Sequence, residues 1–324
     1  MGMKEIVNSL LEEAILAHTS DIFFLFKQER VVVNFRTNYG VEEKTNFTKN
    51  KGKEIINFFK YAAQMDISEH RRPQVGAMTY EYKGADYYLR LSSLGDFSDQ
   101  ESLVIRIIYQ ISDSSYFFDQ QLEFLKELSK KRGLIITSGP TGSGKTTTMY
   151  KLAKYVGEKR VVMTIEDPVE VHESSFLQTQ VNNEAGIDYI NLLKAALRHR
   201  PDILIIGEIR DTETARLAVD AALSGHLVFA TVHAKSTLQT ISRLEGLHVS
   251  NNELANCLTA VSYQRLLPRD SGLSCLLDIA AGEDLSSNIE QNVRGDFINW
   301  QDNLKQLRRE GEISDATYQN YKEG

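Results

Sequence analysis

Residues 139–146 read GPTGSGKT, and few octapeptides restrict a fold so strongly. The stretch before it, RGLIITS, is a short apolar run rich in β-branched residues and reads as a buried strand. The stretch after it, Lys145 to Val156, spaces apolar residues for a helix and contains no proline. Strand, glycine-rich loop and helix in that order are the setting of a phosphate loop. Gly139, Gly142 and Gly144 permit backbone angles that a Cβ forbids, so successive N–H groups can turn toward phosphate oxygens. Lys145 is expected to reach the β- and γ-phosphates, and the Thr146 hydroxyl to hold Mg²⁺. The expected nucleotide-binding run is Gly139, Pro140, Thr141, Gly142, Ser143, Gly144, Lys145, Thr146 and Thr147. A chance glycine–serine turn would not need all four fixed positions and both flanks. The loop is expected to bind a nucleoside triphosphate.

At 324 residues the chain is long for one core, and two domains are expected. The first 110 residues mix amphipathic helices, IVNSLLEEAILAH and NKGKEIINFFKYAAQMD, with two hairpins, DIFFLFKQERVVVNFR and MTYEYKGADYYLRLSSL. That is an α+β pattern. The polar YQISDSSYFFD marks a linker, placed at 111–119. From 120 to 282 the pattern alternates. The expected strands LIITS, VVMTIED, DILIIGEI, LVFATVHA and CLLDIAA are interspersed with helices such as DYINLLKAALRHR and DTETARLAVDAALSG. Near-continuous apolar strands with crossover helices predict an α/β fold, a parallel sheet covered on both faces. Residues 283–324 are polar and helix-prone, and read either as an appended helical extension or as a loosely held tail.

Composition removes several classes. No apolar run approaches the roughly 18 residues a membrane helix needs, and the acidic, amphipathic start MGMKEIVNSLLEEA does not read as a secretory signal. Cys257 and Cys275 sit in apolar surroundings and form no CxxC pair, as expected of reduced thiols in a cytosolic protein. A net charge of −7 argues against a broad nucleic-acid face, although KKR at 130–132 is a local basic cluster.

Ligands of parallel sheets bind at the carboxyl ends of the strands. VVMTIED ends in Glu166-Asp167-Pro168, with Glu170 just beyond; DILIIGEI ends in Gly207-Glu208; LVFATVHA ends in Thr231 and His233. Carboxylates there can hold Mg²⁺ through its waters or orient an attacking water. Glu208 is the expected water-activating group, because an apolar strand running into a carboxylate is otherwise costly burial. One of the acids at 166–170, with Glu166 first in line, is expected to serve Mg²⁺ or water. His233 is expected to donate to the γ-phosphate.

Taken together, the phosphate loop, TIEDPVE, LLKAALRHRPDILIIGEIRD, AALSGHLVFATVHA and SYQRLLPR resemble the successive signatures of the secretion ATPases. EEAILAHTSDIFF and RLSSLGDFSDQESLVIRII resemble that family's N-terminal stretches, so the likeness spans roughly residues 5–280. It implies a RecA-like, ATP- and Mg²⁺-using domain preceded by a smaller α+β (PAS-like) domain. It also implies a cytoplasmic homo-hexamer at the cytoplasmic face of the membrane, held there through a polytopic platform protein, with no direct nucleic-acid partner. Arg90 and Arg106 match the arginines that family members supply to a neighbour's nucleotide. Phe23 stands where the family usually has histidine, and Arg200 where an acid is common. With only two cysteines there is no tetracysteine zinc motif. A short chain without that motif fits two branches, the pilus-retraction motors and the competence-pilus assembly ATPases. The retraction motors' C-terminal AIRNLIRE helix is not found, which favours the competence branch. A type II secretion motor and a RecA-like DNA translocase are the alternatives, the latter disfavoured by the acidic balance.

Overall fold

The computed structural model describes residues 2–37, 40–109, 114–182, 185–269, 272–292 and 295–324. The chain divides into two compact units, Met1–Gln110 and Ile111–Gly324.

The first unit contains helix α1 (Met3–Leu16), strands β1 (Asp21–Lys27), β2 (Arg30–Thr37) and β3 (Gly40–Thr48), helix α2 (Lys49–Ala62), and strands β4 (Gln74–Tyr82), β5 (Ala85–Gly95) and β6 (Glu101–Ile108). Its sheet has the order β3-β2-β1-β6-β5-β4, and every neighbouring pair is antiparallel. Strand alternation explains its two faces. Ile22, Phe24, Val33, Phe35, Leu91 and Ile105 pack with Leu11 of α1 and Phe59 of α2 in one core. The intervening residues belong to the other face, where Arg36, Asp21, Arg106 and Arg90 fall in one cross-strand row over β2, β1, β6 and β5.

The second unit runs β7 (Ser115–Tyr116), α3 (Asp119–Leu128), β8 (Gly133–Ser138), α4 (Lys145–Val156), β9 (Val162–Glu166), β10 (Leu177–Gln180), α5 (Tyr189–Arg198), β11 (Ile203–Ile206), α6 (Thr212–Leu223) and β12 (Leu227–Val232). It continues with α7 (Thr237–Gly246), α8 (Asn251–Cys257), β13 (Leu258–Arg269), β14 (Gly272–Ala281), α9 (Gly282–Glu290), α10 (Trp300–Arg309) and α11 (Asp315–Tyr321). The eight-stranded sheet has the order β10-β9-β11-β12-β8-β13-β14-β7. It is parallel from β10 to β13, and β14 pairs antiparallel with β13. Both faces are covered. Ile136, Ile206 and Ala230 pack toward α5, α6 and α7, whereas their neighbours Ile135, Ile205 and Phe229 pack toward α3 and α4. That division is why these strands read as continuous apolar runs.

Three strands lie outside the five expected ones. β13 holds the motif SYQRLLPR, whose mixture of polar and apolar residues has no clean period of two. β10 is short and polar. β7 falls within the expected linker and pairs with Ser274–Cys275 of β14, while 110–113 lie outside the described residues.

The C-terminal segment is a packed part of the second unit. Trp300 is fully buried and meets Tyr263, Leu267 and Leu276 of β13 and β14, together with Leu304, Leu307 and Ile313. Its indole N–H donates to the Tyr321 carbonyl at 2.8 Å. The buried Asp278 carboxylate accepts from the Ile298 and Asn299 amides at 2.9 and 2.7 Å and from the Thr237 hydroxyl. A carboxylate so deeply buried is held by these donors. Lys130, Lys131, Arg132 and Arg160 line a recess at the opposite, amino edge of the sheet. They follow the C-termini of α3 and α4, where cations complement the helix dipoles. Among the described residues no helix is long and apolar enough to cross a membrane.

Candidate functional site

β8 ends at Ser138, and the chain turns through residues 139–144 into α4. Gly139 has φ +139°, and a Cβ there would lie 2.4 Å from the Gln264 carbonyl oxygen of β13. Gly144, the residue before α4, has φ +85°. Both positions therefore demand glycine. Within this loop the Lys145 ammonium donates to the carbonyls of Gly139 at 3.0 Å and Pro140 at 2.9 Å. Burial pushes its pKa below the ordinary lysine value, partly offset by Glu208 and Glu170. The loop thus encloses its own cation, and a phosphate oxygen in place of those carbonyls would favour the charged form that burial disfavours. The Thr146 hydroxyl lies 3.5 Å from Glu170 Oε2.

The parallel register brings the ends of β9, β11 and β12 to the same edge as the loop. Glu208 Oε1 is 3.3 Å from His233 Nε2, and Arg210 Nε donates to Glu208 Oε2 at 2.6 Å. Two residues read separately from different strands are therefore direct neighbours. The Glu208 amide donates to the Tyr189 hydroxyl at 3.3 Å, and that hydroxyl donates to the Ile165 carbonyl at 3.0 Å. Thr231 Oγ1 donates to the Gly207 carbonyl at 2.6 Å. These bonds fix the strand end that carries Glu208. Asp211 is engaged elsewhere: it caps α6, accepting from the Thr214 amide at 2.8 Å.

Glu166 occupies a different environment. Only 4% exposed, it accepts from the Tyr150 hydroxyl, which itself accepts from Gln178 at 2.8 Å. Burial raises its pKa above the usual 4.5, although the Tyr150 bond opposes the shift. A carboxyl raised in the folded state stabilises the fold at low pH. That contribution is lost as pH rises from the unfolded value through the folded one. A Glu166→Gln variant, which keeps an acceptor for Tyr150, should therefore gain thermal stability over the wild type near neutral pH. The gain should shrink toward pH 4.5; melting curves from pH 4.5 to 8 check it, and a pH-independent difference contradicts it.

Arg90 and Arg106 belong to the first unit. They stand opposite each other on β5 and β6, and Arg106 Nε donates to Asp21 Oδ1 at 2.8 Å. Arg36 reaches the other oxygen of Asp21 at 3.5 Å. The nearly buried Asp21 is thus a carboxylate shared by two half-exposed arginines. Arg36, Tyr150, Tyr189 and Gln264, none of them among the expected site residues, bond to Asp21, to Glu166, to the Glu208 amide and to the Ser143 carbonyl in turn. For Arg36 the signal was available, because pairing β1 with both β2 and β6 puts it in the arginine row.

A family model described as type II/IV secretion system protein matches residues 2–294. The chain is similar to the competence protein ComGA of Streptococcus pneumoniae, 38% identical over 96% of each chain. It is also similar to the competence protein ComGA of Bacillus subtilis, at 35% identity over 96% of this chain and 94% of the relative. The ATPase DotB of Legionella pneumophila superposes with a TM-score of 0.76 over 97% of this chain and 94% of its own, at 19% identity, a likeness of fold alone. The chain belongs to the type II/IV secretion system protein family and is an ATP-hydrolysing P-loop ATPase within it.

Proposed function

We propose that this chain is the ATPase motor of a competence, type IV-like pilus used for DNA uptake. The observation that supports the reading most is the meeting of a complete phosphate loop with Glu208 and His233 at one sheet edge. Similarity to two competence proteins along nearly their whole length gives that site its setting. In this reading Lys145 leaves its carbonyls for the β- and γ-phosphates, Glu208 orients and deprotonates the attacking water, and His233 donates to the γ-phosphate. Mg²⁺ takes hard oxygen ligands, and the Thr146 hydroxyl and Glu170 carboxylate are such donors on the loop's lip, so the residues fit it. Thr146 and Glu170 would hold it there, where it would supply neutralisation of the phosphate charge. Glu166 serves the same site when its carboxylate leaves Tyr150.

The proposed assembly is a homo-hexamer preceded, in each subunit, by a PAS-like domain, with Arg90 and Arg106 acting on the neighbour's nucleotide. Attachment to the membrane runs through a polytopic platform protein, and domain closure on hydrolysis moves that partner.

Purified wild-type protein should release phosphate from ATP, more so with the platform protein present. Glu208→Gln should bind ATP as the wild type does and turn over about a hundredfold or more slowly, the scale of lost general-base assistance. Unchanged turnover in that variant would move the water-activating role to Glu166 or Asp167. No phosphate release under either condition would remove the motor reading altogether.

A further inference from the structure

We propose that Gln264, on β13, is a positioning residue of the phosphate loop: its side-chain amide sets the peptide that presents the Gly144 N–H to a nucleotide phosphate. This rests on the reading that the loop binds ATP. Gln264 is completely buried, and its Nε2 donates to the Ser143 carbonyl at 2.6 Å. The peptide between Ser143 and Gly144 is planar, so its C=O and N–H point in opposite directions. Fixing the C=O on Gln264 turns the Gly144 N–H away from β13, toward the open side of the loop. The same residue closes the loop at its other end. Its carbonyl oxygen lies 2.4 Å from the place a Cβ would take on Gly139, and its Nε2 lies 3.2 Å from the equivalent point on Gly144.

Packing alone does not account for a glutamine here. Among the described residues Gln264 Oε1 is buried with no hydrogen-bond partner, as is Ser143 Oγ on the loop above. An orphaned buried acceptor carries a desolvation cost that an apolar side chain of equal length avoids. The amide is thus half-satisfied, and its satisfied half is the one that holds the loop. SYQRLLPR lies more than a hundred residues from GPTGSGKT in the chain, and the parallel pairing of β13 with β8 brings them together. Tyr263, one residue earlier, packs against Trp300, so adjacent positions of one strand serve the loop and the C-terminal helices.

The test is Gln264→Met, which keeps length and volume but removes the donor and the orphaned acceptor together. ATP and ADP affinities should fall by about tenfold, the upper end of one hydrogen bond's net worth, measured by isothermal titration of the full chain. The melting temperature should stay the same or rise, and KM should increase more than kcat falls. Hydrogen exchange of the peptide spanning 139–147 should speed up in the nucleotide-free Met variant. Gln264→Glu, which sets an acceptor against the Ser143 carbonyl, should weaken binding further than Met does. A Met variant that binds nucleotide like the wild type, or one that loses stability without losing affinity, overturns the proposal. If Met disturbs folding, unchanged affinity in a folded Glu variant overturns it equally. A wild type that binds no nucleotide would instead remove the ATPase reading, a result distinct from these.

Discussion

Lys145→Ala protein is expected to lose ATP affinity by about two orders of magnitude or more. The expected size follows from what the ammonium does. It is the charge held between the Gly139 and Pro140 carbonyls, already partly stripped of water. Transferred to the β- and γ-phosphates it would make at least two charge-assisted hydrogen bonds, each worth about 1.5–3 kcal/mol. The fold should survive. The variant removes no core side chain, since the loop's placement depends on glycine geometry and on β13 rather than on Lys145. Circular dichroism and melting should therefore resemble the wild type, while isothermal titration shows no saturable binding at concentrations that fill the wild-type site. Unchanged affinity in a folded variant would end the assignment of this loop as the nucleotide site.

How much of this was legible in the sequence depended on whether the signal was local. The phosphate loop and its flanking elements are set by neighbours in the chain, and glycine spacing with an apolar run carries that signal directly. The strand ends bearing Glu208 and His233 were also legible, because a carboxylate or imidazole terminating an apolar strand stands out against it. Their direct contact was not, because it depends on the register of β11 against β12. Gln264 shows the same limit more sharply. Its strand has no clean alternation, since β13 touches the loop with one residue and the C-terminal helices with the next.

The C-terminal segment illustrates a second limit. Residues 283–324 look polar because α10 buries a narrow stripe, Trp300, Leu304 and Leu307, and leaves the remainder to solvent. What anchors the segment is Asp278, a single acid inside the apolar stretch CLLDIAA that read only as a strand. Its donors are backbone amides at 298 and 299, which no side-chain pattern records. Glu166 was legible as an acid at a strand end. Its bond to Tyr150 was not, since that pairing joins the end of β9 to a helix packed beneath it.

The arginine row of the first unit leads to the other large effect, activity regained by mixing two inactive variants. If Arg106 reaches a γ-phosphate as proposed, Arg106→Ala should abolish most ATPase activity, because an arginine at the γ-phosphate in related phosphoryl-transfer systems contributes about a thousandfold or more. The variant should still fold. Asp21 loses one partner but keeps Arg36 at 3.5 Å, so its buried carboxylate is not left uncompensated. An arginine could reach the nucleotide from its own chain or from an adjacent subunit, and the two routes differ in what dead subunits do together. Arg106→Ala protein keeps its loop, and Lys145→Ala protein keeps its arginines. If the arginine acts between subunits, a mixed ring contains some sites where an intact loop meets an intact arginine, and activity should rise above both parents. If it acts within one chain, no site in the mixture is ever complete. With a thousandfold at stake, even a small fraction of restored sites is measurable over the parental background. A mixture whose subunits demonstrably exchange, yet which stays as inactive as its parents, would rule out the inter-subunit arginine.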